Sequence, residues 1–176
     1  MSLRFVIDPD LTPALREQIV SLWADVTNAG GAVGFVAPVT AAEVRPVAEA
    51  TFTDLTEGPD RLLAGYEGDQ LVGVLIIADN RFRLKTHWRV LQRVMVHPKT
   101  QGRGYGAALM REAERIGREL GLEALHVTVR GGLGLESFYD RLGYREVGRL
   151  PGALRVAPGD DRDEIFMWLD LGTRAA

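Results

Sequence analysis

Apolar residues near the start of the chain recur at helical spacing. Leu11, Leu15, Ile19, Leu22 and Val26 share one helix face, and Thr12 followed by Pro13 supplies a cap and a first-turn proline. The β-rich run Leu3 to Asp8, ended by Pro9, predicts a strand ahead of that helix. "NAGGAVGF" interrupts the pattern. Thr40-Ala41-Ala42-Glu43 then has the spacing of a capping box and opens a second helix through about Asp54, which "EGPD" closes.

From Leu62 the period changes. "LLAGYE", the turn "EGD" and "QLVGVLIIAD" predict a hairpin, with Gly68 giving the turn its backbone freedom. "HWRVLQRVMV" predicts a third strand after a short basic loop. A burst of glycines follows, then a helical stripe of Leu109, Ala113, Ile116 and Leu120 that Gly121 ends. "ALHVTVR" reads as a strand, "LESFYDRL" as a short helix stopped by Gly143, and "YREVGRL" as a strand. "PGALRVAPGDDRD" reads as a loop before the last strand, "EIFMWLDL". The order predicts an α/β (α+β) fold: a mixed, mostly antiparallel central sheet with helices on both faces, containing a βαβ unit from "VMV" to "ALHVTV".

Composition narrows the chemistry. A chain of 176 residues fits one domain, 1–176, and at that size roughly 70% of the unfolded surface can be buried without staples. The absence of cysteine excludes thiol nucleophiles and cysteine-based zinc sites, and three histidines leave little for any other metal. With a net charge of −3 and no long basic tract, the expected partners are small molecules or protein surfaces, not nucleic acid. No leader-like or bilayer-spanning apolar run is present, so no membrane association and a cytoplasmic location are expected. A homodimer is one assembly to be expected.

"VMVHPKTQGRGYGAALM" carries the chemistry. A helix start leaves its first N–H groups unpartnered and partially positive, so Gly102, Gly104 and Gly106 let a phosphate approach those amides. The plainer reading is a tight strand-to-helix turn, which needs one or two glycines. "GYGAAL" lacks the lysine and hydroxyl of a Walker loop. A dinucleotide fingerprint, Gly102-x-Gly104-x-x-Ala107, calls for an acid at the end of the next strand, where Arg130 stands, while Glu123 lies at that strand's beginning. A NAD(P)-binding oxidoreductase remains a minority alternative.

"V-x-V-x-P-x-x-Q-G-R-G-Y-G-A" resembles the acetyl-CoA signature of the GNAT superfamily of N-acetyltransferases, Gln/Arg-x-x-Gly-x-Gly/Ala, and "SFYDRLGY" resembles the family's second signature. The resemblance covers nearly the whole chain. It implies acetyl-CoA as cosubstrate, with the strand Val94, Met95 and Val96 presenting backbone groups to the pantetheine arm and acetyl group. It assigns Gln101, Gly102, Arg103, Gly104, Tyr105, Gly106 and Ala107 to the pyrophosphate. Tyr139 takes the position of the tyrosine that protonates the departing thiolate, although a Phe-Tyr pair on a short helix is by itself commonly core. The implied activity is direct acetyl transfer to a primary amine of a small molecule; the alternative is a noncatalytic acyl-CoA-binding module. No covalent intermediate is implied, because no nucleophile constellation has supporting spacing.

This chain departs from the family pattern in places. Gly132 replaces an asparagine seven residues before Tyr139, Leu135 replaces a small residue, and Val90 and Gln92 occupy the positions where some members carry a base. "GGAVGF" with "RLGYREVGRLPGA" further resembles the tabtoxin-resistance-like branch, which implies an amino-acid-like acceptor. Trp23, Phe35, His87, Trp88 and His126 are candidates to line the acceptor pocket. Trp23 also fits the core stripe of its helix, and His87 a solvated strand end. "RFRLKTHWR" is a basic run able to steer an anion, or a solvated hairpin tip.

Overall fold

The computed structural model describes residues 3–172. Strands β1 (Leu3–Ile7), β2 (Arg61–Glu67), β3 (Gln70–Ala78), β4 (Trp88–Val96), β5 (Ala124–Arg130), β6 (Arg145–Ala157) and β7 (Asp160–Asp170) form one sheet in the order β1-β2-β3-β4-β5-β7-β6. Helices α1 (Pro13–Asn28), α2 (Ala41–Glu57), α3 (Tyr105–Glu119) and α4 (Leu135–Asp140) complete the chain. β4 and β5 run parallel, while β1/β2, β2/β3, β5/β7 and β6/β7 are antiparallel. The mixed, mostly antiparallel architecture is the one the sequence predicts. The chain divides into two compact units, Met1–Ala78 with Gln92–Ala113 and Asp79–Leu91 with Glu114–Ala176.

In the first unit both long helices start where their caps predict. Thr12 Oγ1 accepts the Leu15 N–H at 3.2 Å. The Thr40 side chain accepts from Glu43 N while the Glu43 carboxylate reaches back to Thr40 N at 2.8 Å, completing the capping box. α2 runs three residues past Asp54, to Glu57. Trp23, Val20, Val44, Ala48 and Phe52 from the helices pack with Leu62, Ala64, Val74 and Ile76 from β2 and β3.

β3 is buried along nearly its whole length, Leu71–Ala78, as a strand covered on both faces must be. Gly73 marks the tightest approach on it: a Cβ there would sit 2.9 Å from the Met95 carbonyl oxygen and 3.6 Å from Leu109 Cδ2. The absence of a side chain at Gly73 lets β3 lie against the end of β4.

In the second unit β5 and β7 carry Leu125, Val127, Ile165 and Met167 into a buried layer with Tyr144. Gly117 of α3 allows Leu171 and Leu125 to close over the helix.

Three details differ from the sequence expectation. The parallel ladder uses Trp88–Leu91 against Ala124–Val127, not "VMV", because Arg93 takes a left-handed φ of 51° and bends β4 before Val94. The expected loop "PGALRVAPGDDRD" is mostly strand, with only Pro158 and Gly159 turning between β6 and β7. β6 lies at the sheet edge, and the missing N–H of Pro151 and the φ of 62° at Gly152 are absorbed in a register shift between Leu150 and Leu154. Leu120, expected in the α3 stripe, lies beyond the last helical turn and is 42% exposed, whereas Leu109, Ala113 and Ile116 are buried.

Gly73→Ala is expected to lower stability by roughly 1–3 kcal/mol, since even a methyl group forces the Met95 carbonyl to shift. Thr40→Ala should cost about 1 kcal/mol through the lost cap. Urea denaturation of both variants checks this, and a Gly73→Ala protein as stable as the parent would refute the close-approach constraint.

Candidate active site

The loop after β4 is held by one hydrogen bond to β3 and by short-range bonds of its own. The His97 N–H donates to Val72 O at 2.8 Å, a single 3-10 turn spans Pro98–Thr100, and Thr100 Oγ1 donates to His97 O at 2.9 Å. Gln101 Nε2 reaches back to Val96 O at 3.4 Å, so its side chain ties the loop to the strand end.

Gly102 and Gly104 follow with φ of 79° and 80°, a backbone that L side chains rarely adopt, and no heavy atom beyond the adjoining residues lies within 4 Å of where a Cβ would stand on either. The Ala108 N–H donates to Gly104 O at 3.0 Å as α3 gets under way. The amides of residues 104–107 therefore belong to the turn in which a helix has no backbone acceptors of its own. Gly106 differs from the other two glycines. It sits in the first turn of α3 outside the left-handed region, so the turn itself needs two glycines, not three.

Arg103 and Tyr105 both point back to the end of β2. Tyr105 donates its hydroxyl to Glu67 Oε1 at 2.7 Å, and Arg103 Nη1 lies 3.4 Å from Glu67 Oε2. The hydrogen bond to Glu67 raises the Tyr105 pKa, because phenolate would face a carboxylate. Glu67 escaped the sequence reading, since a glutamate ending a hairpin strand looks like any solvated charge. Of the strand residues ahead of the loop, Met95 is buried and Val94 and Val96 are half-buried.

Tyr139 lies in the second unit, on α4, at 6% exposure. Its ring meets those of Phe138 and Tyr144 edge-on, with centroids 5.1 Å and 5.6 Å away. Burial pushes its phenol far above the ordinary range, so the group holds its proton at any physiological pH. The neighbouring Tyr144 is fully buried and also shifted upward by burial, and its hydroxyl has no hydrogen-bond partner among the described residues. Gly132 has a φ of 85°, and the Arg162 guanidinium occupies the space where a side chain would begin, so an asparagine there would take a left-handed backbone and displace that guanidinium.

The remaining candidates separate by unit. Trp23 is core, 1% exposed, with Nε1 donating to Val33 O at 2.8 Å and Phe35 edge-on at 5.8 Å. Arg93, a second residue the sequence reading missed, lays its guanidinium 4.8 Å from the centroid of the Trp23 ring and donates from Nη1 to Val33 O at 3.2 Å. A positive residue within "VLQRVMV" was the available signal.

In the second unit His126 stacks on Phe166 at 5.6 Å and meets Trp88 edge-on at 5.9 Å. Burial lowers the His126 pKa, so its ring is neutral at pH 7, with Nδ1 3.0 Å from Met167 O. His87 is exposed, and the basic run forms a 3-10 turn, Arg83–Lys85, with Phe82 and Leu84 in solvent. No helix among the described residues is long and apolar enough to cross a membrane.

Comparison with known proteins agrees with this architecture. A region of 65 residues is 40% identical to the tRNA uridine(34) acetyltransferase of Methanocaldococcus infernus, covering 36% of this chain and only 12% of that protein. Among solved structures, a Salmonella typhimurium protein assigned to the acetyltransferases, with its cofactor acetyl-CoA, superposes with a TM-score of 0.74 at 20% identity, over 99% of this chain and 96% of the other. The ribosomal-protein-alanine N-acetyltransferase of Brucella melitensis does so with a TM-score of 0.76 at 19% identity, over 97% and 99%. Such identities show a shared fold. The family model for the acetyltransferase (GNAT) family matches residues 22–144, from within α1 to the Gly143-Tyr144 pair after α4. The chain therefore belongs to the GNAT family of acetyltransferases.

Proposed function

We propose that this acetyltransferase moves an acetyl group from acetyl-CoA directly to a primary amine of a small molecule. The observation that carries the reading is the pair of left-handed glycines, Gly102 and Gly104, with open space over both at the start of α3. The coenzyme supplies an activated thioester and a pyrophosphate.

In this reading the amides of residues 102–107 take the pyrophosphate's charge, helped by the partial positive charge of the helix start. Arg103 adds a positive charge by turning from Glu67 toward the phosphates. The backbone of Val94 to Val96 aligns the acetyl arm, and one of its N–H groups holds the developing oxyanion. Tyr139, kept protonated by burial, gives its proton to the departing thiolate. The acceptor enters as the free amine and its surplus proton passes to water, since Val90 and Gln92 carry no basic group. The tabtoxin-resistance-like stretches favour an amino-acid-like acceptor.

Gly104→Val places a β-branched residue at a φ of 80°, over the amides that take the pyrophosphate. Acetyl-CoA affinity by calorimetry should fall at least roughly 10-fold, equivalent to one charge-assisted hydrogen bond. Unchanged affinity in a folded variant would sink the cradle.

Tyr139→Phe keeps the packing against Phe138 and Tyr144 and removes only the donor. Coenzyme binding should survive while turnover drops ~100- to 10,000-fold where chemistry limits the rate. Undiminished turnover would make the tyrosine structural. Coenzyme binding without turnover of any amine, by variant or parent, would favour the binding-module alternative.

A further inference from the structure

Arg93 is a half-buried cation on which no carboxylate acts among the described residues. Burial lowers its pKa and no opposite charge offsets that cost. What surrounds it is apolar or already committed: the Trp23 ring beneath, the Val33 carbonyl that Nη1 shares with the Trp23 indole N–H, and Gly34. A Cβ at Gly34 would lie 2.5 Å from Arg93 Nη1, and Gly34 itself takes a φ of 98°. Arg93 also holds a left-handed φ of 51°, which costs a non-glycine residue free energy and persists only where the surroundings enforce it.

A charge needed only to clamp the loop would be an odd choice. A neutral side chain packs on Trp23 at no desolvation cost, and a half-buried charge ordinarily has a partner. A guanidinium has five N–H groups in a rigid fork matched to two oxygens, and the one hydrogen bond to Val33 leaves most of them unspent. Arg93 immediately precedes Val94–Val96, where the proposed reaction places the acetyl group. Two residues of strand span roughly 7 Å, within the reach of a small amino acid.

We propose that Arg93 anchors the acceptor by an oxyanion, and that the acceptor is a small molecule bearing a carboxylate together with its primary amine. This rests on the acetyltransfer reading above. A bidentate carboxylate would complete the fork, discharge the unpaired cation and orient the amine toward the acetyl arm. A phosphonate or phosphinate offers the same pair of oxygens.

The experiment compares acceptors that differ only in that group: α-, β- and γ-amino acids, their carboxamides, and aminoalkyl phosphonates, assayed by coenzyme A release with the parent, Arg93→Met and Arg93→Lys. The carboxamide of an α-amino acid has the less basic amine, so intrinsic reactivity at neutral pH runs against the expected preference. The parent should favour an oxyanion acceptor by roughly 10- to 100-fold in kcat/KM. Arg93→Met should erase that preference, with acetyl-CoA KM unchanged, and Arg93→Lys should restore part of it. Which oxyanion is preferred identifies the source.

A parent enzyme that takes carboxamides as well as acids overturns the anchor while leaving acetyltransfer intact, and needs no variant to fold. A loss confined to acetyl-CoA affinity also overturns it, reassigning Arg93 to the coenzyme. Should no amine be turned over, calorimetry of N-acetyl amino acids against their carboxamides in the presence of coenzyme A decides the anchor separately. Binding that needs the carboxylate and disappears in Arg93→Met supports it, and equal binding of both refutes it.

Discussion

The close approach at Gly73 governs the part of the molecule where the candidate site lies. β3 has side chains packed over both faces, so it cannot move toward either, and the bare backbone at Gly73 fixes how near the Met95 carbonyl comes. The hydrogen bond from the His97 N–H to Val72 O, one residue away, pins the chain as it leaves β4. The 3-10 turn, the two left-handed glycines and the start of α3 inherit their position from that point. A dense, two-sided core is thus the support for a loop that is itself exposed. The arrangement suits a site that must keep backbone amides aimed at a ligand while contributing little packing of its own.

Much of this was legible in the residues. Helix starts were read correctly because Thr12 and Thr40 act through local hydrogen bonds, which depend on neighbours in sequence and nothing else. The glycine loop was legible for the same reason, although only two of its glycines serve the turn. Long-range features were not. Arg93 and Glu67 owe their surroundings to residues 60 and 36 positions away, Val33 and Arg103, and no local pattern announces such partners. The β6–β7 hairpin failed for a different reason. Proline and glycine ordinarily punctuate strands, and here an edge position tolerates both, so composition pointed to a loop where the backbone stays extended.

Membership of the acetyltransferase family leaves the acceptor open, since the named relatives differ in what they modify: a tRNA uridine in one name, a ribosomal-protein alanine in another. That diversity has a physical origin. In the proposed reading the coenzyme end is taken by backbone amides, which any sequence with suitable glycines can present. Acceptor choice, by contrast, would rest on side chains, which can vary while the fold is kept. The proposed acceptor accordingly rests on the unpaired charge of Arg93 on the Trp23 ring and not on overall likeness to other structures.

The long outer strand β6 has one more implication. Thirteen residues of extended, mostly exposed backbone at a sheet margin would ordinarily invite another chain to add alongside. Three interruptions of register along β6, together with Pro151, break the row of donors and acceptors that such addition requires. Arg149 and Arg155, engaged with Glu146, Asp163 and Asp161, lay a band of fixed charge over the same margin. The protein can thus carry a long exposed hairpin without offering a template for fibril growth, and any pairing of two copies there would have to proceed through side chains instead of a continued sheet.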